Sequence, residues 1–233
     1  SRYTLIAKQS VHGFDIIESK DPLKDIVKFV EVDKLETIGF DNQVSFAYYQ
    51  ALQAIFEGYT LSPQTNFMEE LRMIKDEKEL ATIRKACSIS DRAFTDVLDF
   101  IKPGQTTELQ VANFLDFRMR EYGASGISFE SIIASGYRSA MPHGVASDKV
   151  IQSGETLTMD FGCYYNHYVS DMTRTIHIGE TTDEEREIYD IVLRSNRSLI
   201  DATKAGMTRR DYDKVARDVI VEAGYGDYFT HGI

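Results

Sequence analysis

Cysteine, long apolar runs and positive charge are all scarce in this 233-residue chain. Its two cysteines, Cys87 and Cys163, are too few for a disulfide framework and point to a reducing, cytoplasmic compartment. No apolar stretch approaches the roughly 18 residues that a membrane-spanning helix needs, and no signal-peptide core is evident, so neither a membrane nor export is indicated. Lys and Arg number 26 against 37 Asp and Glu, a net charge of −11. A chain so short of clustered positive charge is not expected to bind nucleic acid through its phosphates. What it does hold is enough apolar content, 42% of residues, to bury one large core or two smaller ones.

Residues 1–66 alternate short apolar runs with helical patterns. "GFDII" and "TIGFD" read as strands, and "VSFAYYQALQAIF" reads as a helix ending at Gly58. The turn residues of "SPQTNF" (62–67) mark a domain boundary, so 1–66 forms a small α/β piece and 67–233 a second domain. From about Glu69 to Ile101 the pattern is helical, with Ile83, Cys87, Ser90, Phe94, Val97, Leu98 and Ile101 on a 3.6-residue period. A second helix starts at a capping box, Thr107 with Gln110, and closes at Gly123. "ISFESIIAS", "ETLTMDFG" and "YVSDMTRTIHIG" follow as strands. Thr182 and Glu185 form another capping box, before a helix whose periodic residues include Ile188, Ile191, Val192, Leu199 and Ile200. Thr208 caps the last helix, which ends near Gly224. Lys102-Pro-Gly-Gln-Thr106 matches Lys204-Ala-Gly-Met-Thr208, each between a long helix and a shorter one. This is either a common helix–turn–helix joint or the mark of a pseudo-two-fold domain.

Aspartate is depleted in strands, yet "LTMDFGCYYNHYVSDMTRT" carries one in each arm of a predicted hairpin, Asp160 and Asp171. A two-residue turn at Tyr165–Asn166 sets them directly opposite each other, with Cβ atoms roughly 4.5–5.5 Å apart. Two ionised carboxylates at about 5 Å repel by about 3 kcal/mol at an effective dielectric of about 20. Three readings remain open: a shared proton, a cation between them, or a bulge that shifts the register and leaves each aspartate to cap a loop. Thr173 shares the face of Asp171 and can hydrogen-bond a ligating carboxylate. His167 and His177 lie about 13 and 20 Å from Asp171 along the strand, too far to share a ligand with it. His12 carries no signal, whereas His143 and His231 each precede a glycine.

The stretch "MPHGVASDKVIQSGETLTMDFGCYYNHYVSDMTRTIHIGE", followed by "FTHGI", resembles the family of prolidases, aminopeptidase P and methionine aminopeptidase. The resemblance covers about residues 69–233. It implies an α+β pita-bread catalytic domain with an internal pseudo-two-fold, preceded over residues 1–66 by part of a creatinase-like N-terminal domain. That domain points to the proline-specific branch. Carried over position by position, the resemblance makes Asp160 and Asp171 metal ligands. It places His143 and His231 in catalysis and substrate contact, and Phe129 beside the substrate pocket.

The implied activity is metal-dependent hydrolysis of the Xaa-Pro bond at the N-terminus of di- or oligopeptides, in a cytoplasmic homodimer. Two divalent ions are implied. A carboxylate-rich site favours Mn²⁺, with Co²⁺ or Zn²⁺ as alternatives. The family completes its site with one further His and two Glu, expected beyond Ile233. The chain also begins with Ser1 rather than Met, so it reads as truncated at both ends. Two rivals share the fold: a metal-free, creatinase-like amidino hydrolase, which would not need both aspartates, and a non-enzymatic peptide-binding module, which would lose ligands.

Overall fold

The computed structural model describes residues 2–233. Its first unit ends at Asp76 and comprises α1 (Thr4–Ser10), α2 (Pro22–Val32), β1 (Thr37–Asp41), α3 (Phe46–Ile55), β2 (Thr60–Gln64) and α4 (Phe67–Met73). β1 and β2 pair in parallel from Thr37↔Thr60 to Asp41↔Gln64, with α3 as the crossover that parallel strands require. Val30, Leu52 and Phe56 form its small core. "TIGFD" is therefore a strand as expected, but "GFDII" is not. Residues 13–17 are irregular and Phe14 and Ile17 are exposed, because the one ladder among the described residues of this unit joins β1 to β2.

The second unit, Glu77–Ile233, starts with α5 (Glu77–Phe100) and α6 (Glu108–Glu121). Then come β3 (Gly126–Ile127), β4 (Ile132–Ser135), β5 (Glu155–Phe161), β6 (Cys163–Tyr165), β7 (Tyr168–Val169) and β8 (Met172–Ile178). α7 (Asp183–Ala202) and α8 (Arg209–Glu222) complete it. The strands make two antiparallel three-stranded sheets, β3–β6–β7 and β4–β5–β8. Ile89, Leu115, Met119, Ile133, Leu157, Met159 and Phe161 are fully buried in the core between α5, α6 and the strands.

Two details of α5 differ from expectation. The helical run is divided, since α4 ends at Met73 and Ile74 is extended before α5 begins. The buried stripe is also rotated: Ala86, Ile89, Ser90, Ala93 and Val97 face the core, while Cys87 and Leu98 are exposed. The alanines are weak hydrophobic signals, but their small size lets a neighbouring element pack close. On α7 the buried positions are Ile191, Ser195 and Leu199, with Val192 and Ile200 exposed.

The repeat extends beyond its five-residue match. Ile89, Ala93 and Val97 of α5 correspond in order and spacing to Ile191, Ser195 and Leu199 of α7. Leu115 and Met119 of α6 correspond to Ala216 and Ile220 of α8. Both shorter helices are capped by threonine, Thr107 and Thr208, and both end in a Schellman motif. At Gly123 (φ 102°) the bonds are Ala124 N–H to Met119 O and Gly123 N–H to Arg120 O. At Gly224 (φ 88°) they are Tyr225 N–H to Ile220 O and Gly224 N–H to Val221 O. The capping boxes at Thr107–Gln110 and Thr182–Glu185 are both formed.

One buried charge holds the sheet edge to α6. Glu108 is fully buried and accepts from Ser135 N–H and Oγ, Ser147 N–H and Oγ, and Arg138 Nε. Burial alone would raise its carboxyl pKa. The Ser147 and Ser135 hydrogen bonds and the Arg138 charge outweigh that and hold it below the ordinary value. A carboxylate with a lowered folded-state pKa contributes stability above its unfolded pKa and loses it as pH falls through the folded one. Glu108→Gln is expected to destabilise the protein at pH 7 by roughly 3 kcal/mol, since it breaks a buried ion pair, and to flatten the acid limb of a plot of melting temperature against pH below about pH 4.5. An unchanged acid limb would show that Glu108 does not carry this linkage.

Candidate metal centre

Along β5 the side chains alternate. Leu157, Met159 and Phe161 point into the core, and Thr156, Thr158 and Asp160 point to the opposite face. β8 continues that face. Thr158 Oγ1 lies 3.2 Å from Thr175 Oγ1, and Thr156 Oγ1 lies 3.4 Å from His177 Nδ1. Next in this polar ladder, Asp160 is directly opposite Thr173.

The register therefore differs from the expected one by two residues. The hairpin turn is Asn166–His167, not Tyr165–Asn166, and Tyr165 pairs with Tyr168. Asn166 and His167 have φ of 46° and 70°, the left-handed pair that a tight hairpin turn uses. Asparagine tolerates that conformation readily, whereas Tyr165 is better placed in the strand. Asp171 is thus not directly opposite Asp160 but one diagonal step away, on the same face because the shift is even.

A break in the hairpin places Asp171 there. A Cβ on Gly162 would lie 2.0 Å from the Ser170 carbonyl oxygen, so only glycine permits this approach of the two arms. Ser128 reaches into the break from outside, its N–H donating to Gly162 O and its Oγ to Ser170 O. Below it, buried Ser170 accepts from Cys163 N–H at 3.0 Å and shares a 2.6 Å hydrogen bond with Ser90 of α5. The arms belong to β4–β5–β8 on one side of the break and to β3–β6–β7 on the other. Asp171 sits just before β8 begins and is exposed.

Asp160 is half-buried, and its Oδ1 is buried with no hydrogen-bond partner. Burial raises its carboxyl pKa; a hydrogen bond with Thr173 opposes this, the Asp171 charge adds to it, and nearby His143 opposes it. His143 approaches because Val145 bridges Ile132, the residue paired with Asp160. Asp160, Asp171, Thr173 and His143 are thus brought together. Phe129 is half-buried in the bend between β3 and β4. His231 makes its contacts beside α8, where Arg217 Nη2 donates to its carbonyl and Phe229 packs edge-on to its ring. Arg217 also holds the Asp213 carboxyl down at about 2.

A buried carboxylate oxygen without a partner beside a second carboxylate fits a cation, and oxygen donors suit a hard divalent ion. Asp160 and Asp171 would hold it, with Thr173 orienting Asp160. Among the described residues no group of three or more His, Cys, Asp or Glu is placed to hold a metal, so the donors gathered here are the two aspartates. Gly162, Ser170 and Glu108 carried no signal in the sequence, and Ser90 was legible only as a periodic position of α5, not as the partner of Ser170. Isolated small polar residues in a strand give no periodic signal, and an acidic residue in a helix's first turn looks like an ordinary solvated one.

The duplicated helix hairpins flanking these strands define a pita-bread catalytic domain, and the structural neighbours have the same fold. The chain belongs to metallopeptidase family M24, whose model matches residues 81–233; the creatinase/prolidase N-terminal domain matches residues 1–74. It is 43% identical, over 99% of its length, to the uncharacterized peptidase YqhT of Bacillus subtilis, covering 65% of that protein. It is 40% identical, over 93% of its length, to the Xaa-Pro dipeptidase of Pyrococcus furiosus, covering 63% of that one. The solved structure of the Xaa-Pro dipeptidase from Bacillus anthracis superposes with a TM-score of 0.94 at 40% identity, matching 99% of this chain and 65% of that one. The chain thus spans a little under two thirds of the length of these relatives.

Asp160 and Asp171 should respond differently to neutralisation. Asp160→Asn removes a buried charge with an orphaned oxygen. Without metal it should raise the melting temperature at pH 7 by about 3 °C, the equivalent of roughly 1 kcal/mol. Asp171→Asn, exposed, should change it by less than about 1 °C. In the full-length protein both should abolish the stabilisation that added Mn²⁺ confers. A full Mn²⁺ response in either variant would remove that aspartate from the site.

Proposed function

We propose that the whole protein is a metal-dependent exopeptidase that hydrolyses the Xaa-Pro bond at the N-terminus of di- or oligopeptides, with residues 67–233 in its catalytic domain and 1–66 in part of its N-terminal domain. The observation that carries this reading is the placement of Asp160, with its orphaned buried oxygen, one diagonal step from Asp171 on one polar sheet face. The names of the P. furiosus and B. anthracis relatives support the choice of substrate.

Divalent ions bound there, most simply Mn²⁺ with Co²⁺ or Zn²⁺ as alternatives, would lower the pKa of a water and polarise the scissile carbonyl. The chain's own groups do the rest. Asp160 and Asp171 fix the cation site against the sheet, and Thr173 holds the Asp160 carboxylate in one orientation. His143, on its exposed loop beside Asp160, donates a hydrogen bond to the substrate and offsets charge developing on it. His231 is assigned the same kind of contact from the α8 end. Phe129 offers an apolar edge to the proline ring. A tertiary Xaa-Pro amide has no N–H, so a site for it must recognise the ring and the flanking groups.

The test compares Xaa-Pro dipeptides and Xaa-Pro-Yaa peptides with Met-Ala peptides, using full-length protein loaded with Mn²⁺. Xaa-Pro turnover is expected, and His231→Ala should lower kcat more than it raises KM. Preference for the Met-Ala peptide would move the protein to the methionine-specific branch. Turnover of creatine, unaffected by metal chelation, would instead support the metal-free amidino hydrolase.

A further inference from the structure

We infer that Glu108 is a positioning residue for His143, acting through Arg138 and Ser147; this rests on the reading of His143 as a substrate-facing group. The chain leaves β4 at Ser135, passes through a short 3₁₀ helix, Gly136–Ala140, carries His143 at its exposed tip and returns at Val145 and Ser147. The Glu108 carboxylate ties the base of this loop. Its Oε1 accepts from Ser135 N–H at 2.7 Å and Ser135 Oγ at 2.9 Å on the outgoing stem. Its Oε2 accepts from Ser147 Oγ at 2.6 Å and Ser147 N–H at 3.2 Å on the returning stem, and from Arg138 Nε at 3.0 Å. Arg138 then spans the loop, donating from Nη2 to Val145 O at 2.6 Å, two residues from His143.

The helix does not need this carboxylate. The capping box takes up the Thr107 and Gln110 N–H groups, and the Glu108 and Leu109 N–H groups donate to Lys149 O and Ser147 O, so the Glu108 side chain is free to turn to the loop. A fully buried charge is a poor device for stability, since an apolar side chain of similar volume often serves as well. What it does provide is direction: five donors from three residues converge on two oxygens, which fixes the spacing of the stems. A second ion pair reinforces the outgoing stem, with Lys149 Nζ 2.8 Å from Ser135 Oγ and 2.6 Å from Glu155 Oε2. The side chains of the tip add little packing, because Tyr137, Met141 and His143 are exposed; what anchors it is main chain, with Gly144 buried and Val145 bridging Ile132. Arg138 bonds that same Val145, so the place of the His143 ring beside Asp160 depends on the bridge and on the base of the loop together.

The test uses Arg138→Met and Ser147→Ala, which leave the buried carboxylate in place, with two readouts. Hydrogen exchange of amides 136–147 should accelerate by about tenfold or more, while amides 157–161 of β5 keep their protection and the His143 ring proton resonances shift or broaden. Unchanged loop exchange, or equal acceleration throughout β5, would overturn the inference, the latter because it would mark a purely structural role. On an Xaa-Pro peptide, Arg138→Met should lower kcat/KM by about tenfold, and Arg138→Met/His143→Ala should be no slower than His143→Ala alone. Multiplicative losses would overturn it. Absence of Xaa-Pro turnover in the wild type would sink the peptidase reading alone, because exchange reports on the loop without any substrate.

Discussion

The closeness of Gly162 to the Ser170 carbonyl is the constraint on which the site depends. An uninterrupted hairpin would have carried Asp171 in a regular ladder, each carboxylate flanked by the next rung. The break instead sends the two arms into different sheets, with Asp171 at the junction and Asp160 at the last polar position of β5. The Ser90–Ser170 hydrogen bond ties this junction to α5, the longest helix of the unit. The geometry of two surface-facing carboxylates is in this way anchored in the core.

Glu108 does for the neighbouring loop what Ser170 does for the hairpin. Both are buried polar residues bonded to main-chain and hydroxyl groups at the base of an exposed segment, with the Arg138 guanidinium added in the case of Glu108. Buried polar groups specify a geometry only when they are satisfied, and these are. Asp160 Oδ1 is the exception on this face. A satisfied framework surrounding one unsatisfied carboxylate oxygen separates the parts that hold shape from the part disposed to take a ligand.

Much of this was legible in the sequence because it rests on local chemistry. The capping boxes at Thr107 and Thr182, the cap at Thr208 and the Lys-x-Gly-x-Thr repeat all appear where their residues indicate. The two aspartates do share a face. The turn was misplaced by one residue because Asn-His is a weak turn signal beside Asn-Gly, and that one step accounts for the whole two-residue difference in register. The stripe of α5 was misjudged because Ala86 and Ala93 contribute little hydrophobicity yet take the tightest packing. Glu108 was invisible because nothing local tells a buried acid from a solvated one; its partners lie roughly 30 to 40 positions away.

The most direct measurement is diffraction at the manganese absorption edge, from crystals of the full-length protein grown with Mn²⁺. Anomalous density bonded to carboxylate oxygens of both Asp160 and Asp171, with the Gly162–Ser170 contact intact, is the predicted result. Manganese bound elsewhere, with both carboxylates left unligated, would contradict it.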